Sequence, residues 1–392
     1  MTIAKKVQTF LESASWIRKM FEQGALLKAR HGAENVFDFS LGNPNLEPPA
    51  HFKEVLVDMA KAPGRGHHSY MPNIGYPAVR QAVAEFVSGE QGLAITADEI
   101  IMTCGAAGAL NVILRAILDP GDEVITPVPY FVEYAFYADN HGGVLKTVST
   151  SSDFSLDIHA IQAAITSKTK AILINSPNNP SGQIYSKESL EQLGSLLMEE
   201  GRRLNRTLYL ISDEPYRKIT FDGEQVPGLF SCYPESIIAT SYSKDLSIPG
   251  ERIGFLAVNP RATYKKDLLS GMALANRILG YVNAPALMQR AIQSLQGVCV
   301  DPAIYERKRN LLCDGLYECG YEIVKPKGAF YLFPKSPVLD DVAFVKALQE
   351  ELILTVPGSG FGAPGYFRIA FCVDDDTITQ ALPGFERVLK RF

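Results

Sequence analysis

The chain has 392 residues, 46% of them hydrophobic and 21% charged, with a net charge of -5. That length suits two domains better than one core, and the balance is that of a compact soluble protein. The acidic excess argues against nucleic acid or an anionic membrane surface as partner. Cys104, Cys232, Cys299, Cys313, Cys319 and Cys372 are scattered without a CxxC pair or a zinc spacing. They read as free thiols in a reducing cytoplasm. Residues 1–10 lack the apolar run of a signal peptide, and no stretch approaches the length of a membrane span, so a cytoplasmic location is expected.

Along the chain, Trp16, Ile17, Met20 and Phe21 fall at helical spacing and predict an amphipathic helix. The Pro/Gly-rich stretch 39–49 reads as an ordered loop. From about residue 75 helix and strand alternate: a helix over 77–87, a strand over 99–102, a helix over 109–118. Further strands are expected at 123–126, 170–174, 208–211, 236–239 and 253–257. These runs are almost continuously apolar, the pattern of strands buried on both faces. Residues 186–200 predict a helix with Ser186 as N-cap and Leu190, Leu193, Leu196 and Leu197 on one stripe. Strands separated by helices imply an α/β fold with a mostly parallel sheet and sites at the strand C-termini. After about residue 290 the texture changes to a long helix and strands near 321–324, 330–332 and 366–370, which predicts a smaller α+β domain.

The most informative stretch is SYSKDLSIPGERIG at 241–254, just past an expected strand end, where a βα loop would face a crevice. It resembles the pyridoxal 5'-phosphate (PLP) attachment motif of class I aminotransferases at Ser241, Ser243, Lys244, Ser247, Ile248, Gly250, Arg252, Ile253 and Gly254. Other blocks of that family follow in the expected order. They are Tyr70 with Gly75, TCGAAGAL at 103–110, DPGD at 119–122, NNPSG at 178–182, DEPY at 213–216 and Arg368. The resemblance covers nearly the whole chain. It implies PLP fold type I: a large PLP-binding domain over 46–289 with a seven-stranded-type, mostly parallel sheet, and a small domain from 1–45 and 290–392.

The same resemblance assigns roles. Lys244 would form the Schiff base with the PLP aldehyde and then carry the proton between the substrate Cα and the cofactor. Asp213 would face the protonated pyridine nitrogen, a charge pair worth about 4 kcal/mol at ~4 Å and an effective dielectric near ~20. Strand alternation turns its neighbour Glu214 away from that ligand. Asn179 and Tyr216 would hydrogen-bond the phenolic oxygen. Gly105, Ala106 and Ala107 would offer backbone N–H groups to the phosphate at a helix N-terminus. Ser241, Ser243 and Arg252 would add hydroxyls and charge. Many relatives carry a hydroxyl where Ala106 or Ala107 stands, so this cup is leaner. Phe131 matches the ring that stacks on PLP. Tyr70 matches a tyrosine that reaches the phosphate from the neighbouring subunit, which implies a homodimer with shared sites. Arg368 matches the arginine that grips the substrate α-carboxylate with two parallel hydrogen bonds. Asn179 lies beside the same group, and Gly42 would let the N-terminal segment approach it closely. The Gly-rich run 358–362 reads as a structural turn near the site, and the histidines, including His67 and His68, offer no metal motif.

The activity implied is PLP-dependent transfer of an amino group between an L-amino acid and a 2-oxo acid, by a ping-pong Schiff-base mechanism. A same-fold β-lyase, decarboxylase or synthase is the alternative, because PLP-binding blocks alone do not choose which Cα bond breaks. A non-catalytic scaffold would be expected to lose a catalytic residue or carry an added DNA-binding domain. For substrate identity, Arg277 is a candidate for a second carboxylate, with a helix-surface charge as the equal alternative. The 16–21 segment is a candidate for part of the side-chain pocket.

Overall fold

The apolar runs of the sequence become strands in order. These are β1 (Phe37–Asp38), β2 (Ile100–Thr103), β3 (Glu123–Pro127), β4 (Val144–Val148), β5 (Thr169–Asn175) and β6 (Tyr209–Asp213). They continue with β7 (Ser236–Ser241), β8 (Gly254–Val258), β9 (Tyr331–Leu332), β10 (Ile353–Leu354), β11 (Val356–Pro357) and β12 (Phe367–Ala370). They belong to a computed structural model that describes residues 2–12, 16–62, 64 and 66–392.

Seven of the strands form one sheet in the order β2-β8-β7-β6-β5-β3-β4. All run parallel except β8, which is antiparallel to both β2 and β7. Alternation along each strand feeds two separate cores. Ile100, Met102, Ile172, Ile174 and Leu210 point to one face, where they join Val79, Val83, Leu190, Leu193 and Leu197 of helices Pro77–Gln91 and Lys187–Leu204. Ile101, Ala171, Leu173 and Ile211 point to the other, against Leu110, Ile113, Leu114, Leu268 and Met272 of helices Gly105–Ile117 and Lys265–Ile278. Both faces are covered over the middle of the sheet, so its inner strands are buried along nearly all their length, and only the edge strand β4 carries exposed positions. Ser186 caps its helix as expected, its Oγ accepting from Ser189 N at 3.1 Å.

A third core gathers around the antiparallel sheet β11-β12-β9 and helices Pro302–Cys319 and Asp375–Leu389. Phe39 and Met20 from the N-terminal region join it, and β1 pairs with β10. Residues 16–31 are helical and Met20 is buried. The side chains of Trp16, Ile17 and Phe21 lie outside the described residues.

Two expectations are corrected. The strand near 321–324 does not form: Tyr321 turns inward and donates its hydroxyl to Phe385 O at 2.9 Å, and the segment shares a single ladder-like bond, from Lys335 N to Glu322 O at 3.1 Å. The helix expected from 109 begins at Gly105, so the loop glycine is itself the first helical residue.

Candidate active site

The loops that follow β3, β5, β6 and β7 leave the same edge of the sheet, as does the helix after β2. Asp213 is the last residue of β6, Ser241 the last of β7, and Lys244 follows three residues on. Together they line a cleft of 330 Å³ that also holds Gly42, Ala106, Ala107, Phe131, Asn179, Tyr216, Ser243, Arg252 and Arg368. Gly105 stands behind it at the start of its helix. The expected residues thus converge, with Tyr70 and Arg277 as exceptions. Tyr70 is 88% exposed and outside the cleft. Arg277 is exposed on helix Lys265–Ile278 and also outside it, so within this chain the surface-charge reading stands.

Asp213 is buried, and its Oδ2 accepts from Tyr134 Oη at 2.6 Å. Its Oδ1 has no protein partner. Burial pushes the carboxyl up to about 7, against the pull of the Tyr134 hydrogen bond. The Lys244 amine donates to Gly42 O at 2.9 Å and stands 5.9 and 5.4 Å from the rings of Tyr216 and Phe330. Burial, reinforced by the nearby Arg368 and Arg252, pushes it down to about 8. Tyr216 and Tyr331 share a hydrogen bond of 2.9 Å between their hydroxyls, and burial keeps both phenols protonated.

Arg368 is 2% exposed and held by two hydrogen bonds and two aromatic rings. Nη1 donates to Asn179 Oδ1 at 3.1 Å and Nη2 to Ser40 O at 2.6 Å. The guanidinium lies 4.8 Å from the ring centroids of both Tyr331 and Phe361. Nε lacks a partner. Phe361 ends the short turn Gly358–Phe361, so the Gly-rich run serves the site structurally. Asn179 is fixed through its backbone N–H, which donates to Asn175 Oδ1 at 2.6 Å. Its Oδ1 is taken by Arg368, which leaves its amide N–H groups to point elsewhere.

At the other end, Arg252 has a left-handed backbone (φ 52), and its Nη1 donates to Pro249 O at 2.9 Å. Gly105 has φ +73, and a Cβ there would fall 2.9 Å from Arg252 Nη2. The helix it opens has no side-chain N-cap bond, so its first N–H groups remain available beside the buried Ser241 and Ser243.

Residues that sequence reasoning missed complete the arrangement: Tyr134 on Asp213, Asn175 on Asn179, Tyr331 beside Tyr216, and the carbonyl of Ser40 on Arg368. Tyr134 was the most findable, three residues beyond Phe131. Glu133 and Tyr137 also line the cleft. Glu214 turns away as expected and pairs with Arg217 at 2.9 Å. Among the described residues no group of three or more His, Cys, Asp or Glu could hold a metal, and no helix is long and apolar enough to cross a membrane.

A buried carboxylate with one open oxygen, an amine of lowered pKa and an uncapped helix N-terminus beside an arginine fit an aldehyde-bearing aromatic phosphate. With the seven-stranded sheet, they define an enzyme of the aspartate aminotransferase fold. The chain belongs to the class I and II aminotransferases, whose family model matches residues 34–385. It is 32% identical to the aspartate/prephenate aminotransferase of Thermus thermophilus over 406 residues, 99% of each chain. It is also 32% identical to the aspartate aminotransferase of Geobacillus stearothermophilus, over 100% of this chain and 99% of that one. A crystal structure of an amino transferase from Eubacterium rectale superposes with a TM-score of 0.96 at 39% identity, covering 100% of this chain and 99% of that one. The protein is therefore an enzyme, an aminotransferase, and the lyase, decarboxylase and synthase alternatives are not favoured.

Proposed function

We propose that this chain binds PLP in the cleft through Lys244 and moves an amino group from an L-amino acid to a 2-oxo acid in two half-reactions. The observation that carries the reading is the open Oδ1 of buried Asp213 in the same cleft as the Lys244 amine. When bound, the cofactor supplies an aldehyde that joins to amines and a ring that draws electrons from the substrate Cα.

The rest is done by the chain. A cation set against Asp213 favours its charged form, and Tyr134 keeps the carboxylate oriented by holding Oδ2. Tyr216 and the amide of Asn179 are the donors for the phenolic oxygen. The N–H groups of Gly105, Ala106 and Ala107, the hydroxyls of Ser241 and Ser243, and Arg252 form the phosphate cup. Phe131 covers the ring. Arg368, its plane fixed by Asn179, Ser40 and two aromatic rings, takes the α-carboxylate and so orients the Cα–H bond toward Lys244. Near neutral pH an amine with a pKa of about 8 is neutral in a useful fraction of molecules, as a base must be.

Three further assignments belong to this reading. The large domain spans 46–289 and the small one 1–45 with 290–392, the third core supporting the latter. The working unit is a homodimer in which the exposed Tyr70 reaches the neighbour's phosphate. The enzyme works in the cytoplasm, in keeping with its six free thiols. For substrate, the cleft's own cations are Lys244, Arg252 and Arg368, each already assigned. A second substrate carboxylate would therefore be met by a residue from outside this cleft.

The test is direct. Protein supplied with PLP should absorb visible light, and borohydride should fix the cofactor on the peptide bearing Lys244. A single amino acid should then give pyridoxamine phosphate and an oxo acid. Release of ammonia with pyruvate, or no fixed adduct, would overturn the reading.

A further inference from the structure

Behind the cleft, sharing Pro215 and Ser241 with its wall, lies a second, smaller cavity of 30 Å³ whose lining includes five charged residues, Glu90, Glu214, Arg217, Lys218 and Asp245. Arg217 is spoken for by Glu214 and Glu90 and by the carbonyls of Val226 and Pro227. Lys218 and Asp245 form a separate pair, Nζ to Oδ2 at 2.8 Å, with side chains only 17% and 9% exposed.

The chain positions of this pair are what matter. Lys218 lies two residues beyond Tyr216 on the loop that leaves β6, and Asp245 is the immediate neighbour of Lys244 on the loop that leaves β7. One ion pair therefore joins the loop that follows Asp213 and carries Tyr216 to the loop carrying the amine. Asp245 is pinned in turn: its Oδ1 accepts from Leu246 N at 3.0 Å, and its carbonyl accepts from Val300 N at 2.7 Å. Lys218 is pinned over the ring of Phe86, 4.6 Å from its ammonium. A buried ion pair is a weak source of net stability, because desolvation offsets most of the attraction. Geometry is what such a pair can fix, and the geometry here is that of Lys244 against Tyr216.

We infer that Lys218 and Asp245 are positioning residues that hold the Lys244 amine at its working distance from the cofactor's phenolic side. The inference rests on the proposed role of Lys244. Because neither residue lines the cleft, their loss should leave substrate binding at Arg368 intact while displacing the amine.

The experiment uses the holoenzyme and the double variant Lys218→Met/Asp245→Leu, which replaces the pair by apolar side chains of similar size. Such replacements commonly leave stability unchanged. The expected result is a near-native Tm, kcat lower by about tenfold or more, and KM for the amino donor changed by less than about threefold. The pH midpoint of the bound cofactor's visible chromophore should also move, because Tyr216 and Lys244 no longer share one frame. Wild-type kcat and midpoint would overturn the positioning role. If the double variant does not fold, Asp245→Asn decides by the same two readouts, and the single variant Lys218→Arg, which keeps a cation against Asp245, should retain most of the wild-type rate. A wild-type protein without chromophore overturns both readings; a normal wild type with unchanged variants overturns this one alone.

Discussion

Tyr134 Oη stands 2.6 Å from Asp213 Oδ2, and the other carboxylate oxygen has no protein partner. The buried acid is thus anchored on one side and open on the other. The Tyr134 bond is the main force pulling its pKa down against burial. Tyr134→Phe should release that pull and raise the carboxyl further. The acid limb of kcat/KM should then move to higher pH, by about one unit if the bond contributes ~1.5 kcal/mol to the charged form. An unmoved acid limb in a folded variant would show that the phenol does not control the acid.

Asp213→Asn should separate stability from function. The folded carboxyl titrates at about 7, above its ordinary value of 3.8. The folded state therefore holds a proton that the unfolded state has released, and stability falls as pH rises through that window. An asparagine avoids this loss. Without cofactor, the variant should melt higher than wild type at pH ~8, with the gap closing as pH falls toward ~4. Turnover should drop by up to about a thousandfold, as the charge opposite the ring nitrogen is lost. Equal melting curves at both pH values would contradict the raised pKa.

Much of this site was legible as sequence because its parts are punctuated. The lysine loop, DEPY and NNPSG each follow an apolar run, so their places at strand ends could be read without coordinates. The supporting contacts could not. Tyr331 and Ser40 reach the site from β9 and from the loop after β1, and nothing local in their sequence marks a partner more than a hundred residues away. The edge strand β4 escaped for a different reason: Val144 is 50% exposed and Lys146 pairs with Glu123, so the segment lacks a two-sided apolar run. The mistaken strand at 321–324 shows the reverse error, since an apolar alternation there buries Tyr321 against a helix instead of in a sheet.

Lys244→Ala should abolish multiple turnover while cofactor binding partly survives, since the phosphate cup is untouched. In the cofactor-free wild type, the rate of amine modification at this position should rise with pH around a midpoint of about 8, where an ordinary lysine would need 10.5. Peptide mapping after brief labelling across pH checks it. A midpoint near the ordinary value would remove the argument that this amine is poised as a base.

Arg368→Lys keeps the charge and loses the fork. A point ammonium cannot bridge Asn179 Oδ1 and Ser40 O while also offering two parallel bonds to a carboxylate. With a charged hydrogen bond worth about 1.5–3 kcal/mol, KM for amino donors should rise by about 10–100-fold. The cofactor's spectrum should stay unchanged. A spectrum that changes as much as KM would mean that the arginine serves the cofactor instead.

Gly42→Ala tests the closest backbone approach in the site. A Cβ there would fall 1.9 Å from Tyr331 Oη, and the ring carbons Cζ and Cε1 follow at 2.6 and 2.7 Å. Removing the hydroxyl alone therefore gives no relief, so Tyr331→Phe should not rescue the alanine variant, whereas Tyr331→Leu should recover part of its stability. Overpacking of this kind costs about 1–3 kcal/mol. The backbone shift also carries away the carbonyl that accepts from Lys244 and disturbs the Tyr331–Tyr216 pair, so kcat should fall along with Tm. Rescue by Tyr331→Phe would mean that the hydroxyl, and not the ring, sets the limit on residue 42.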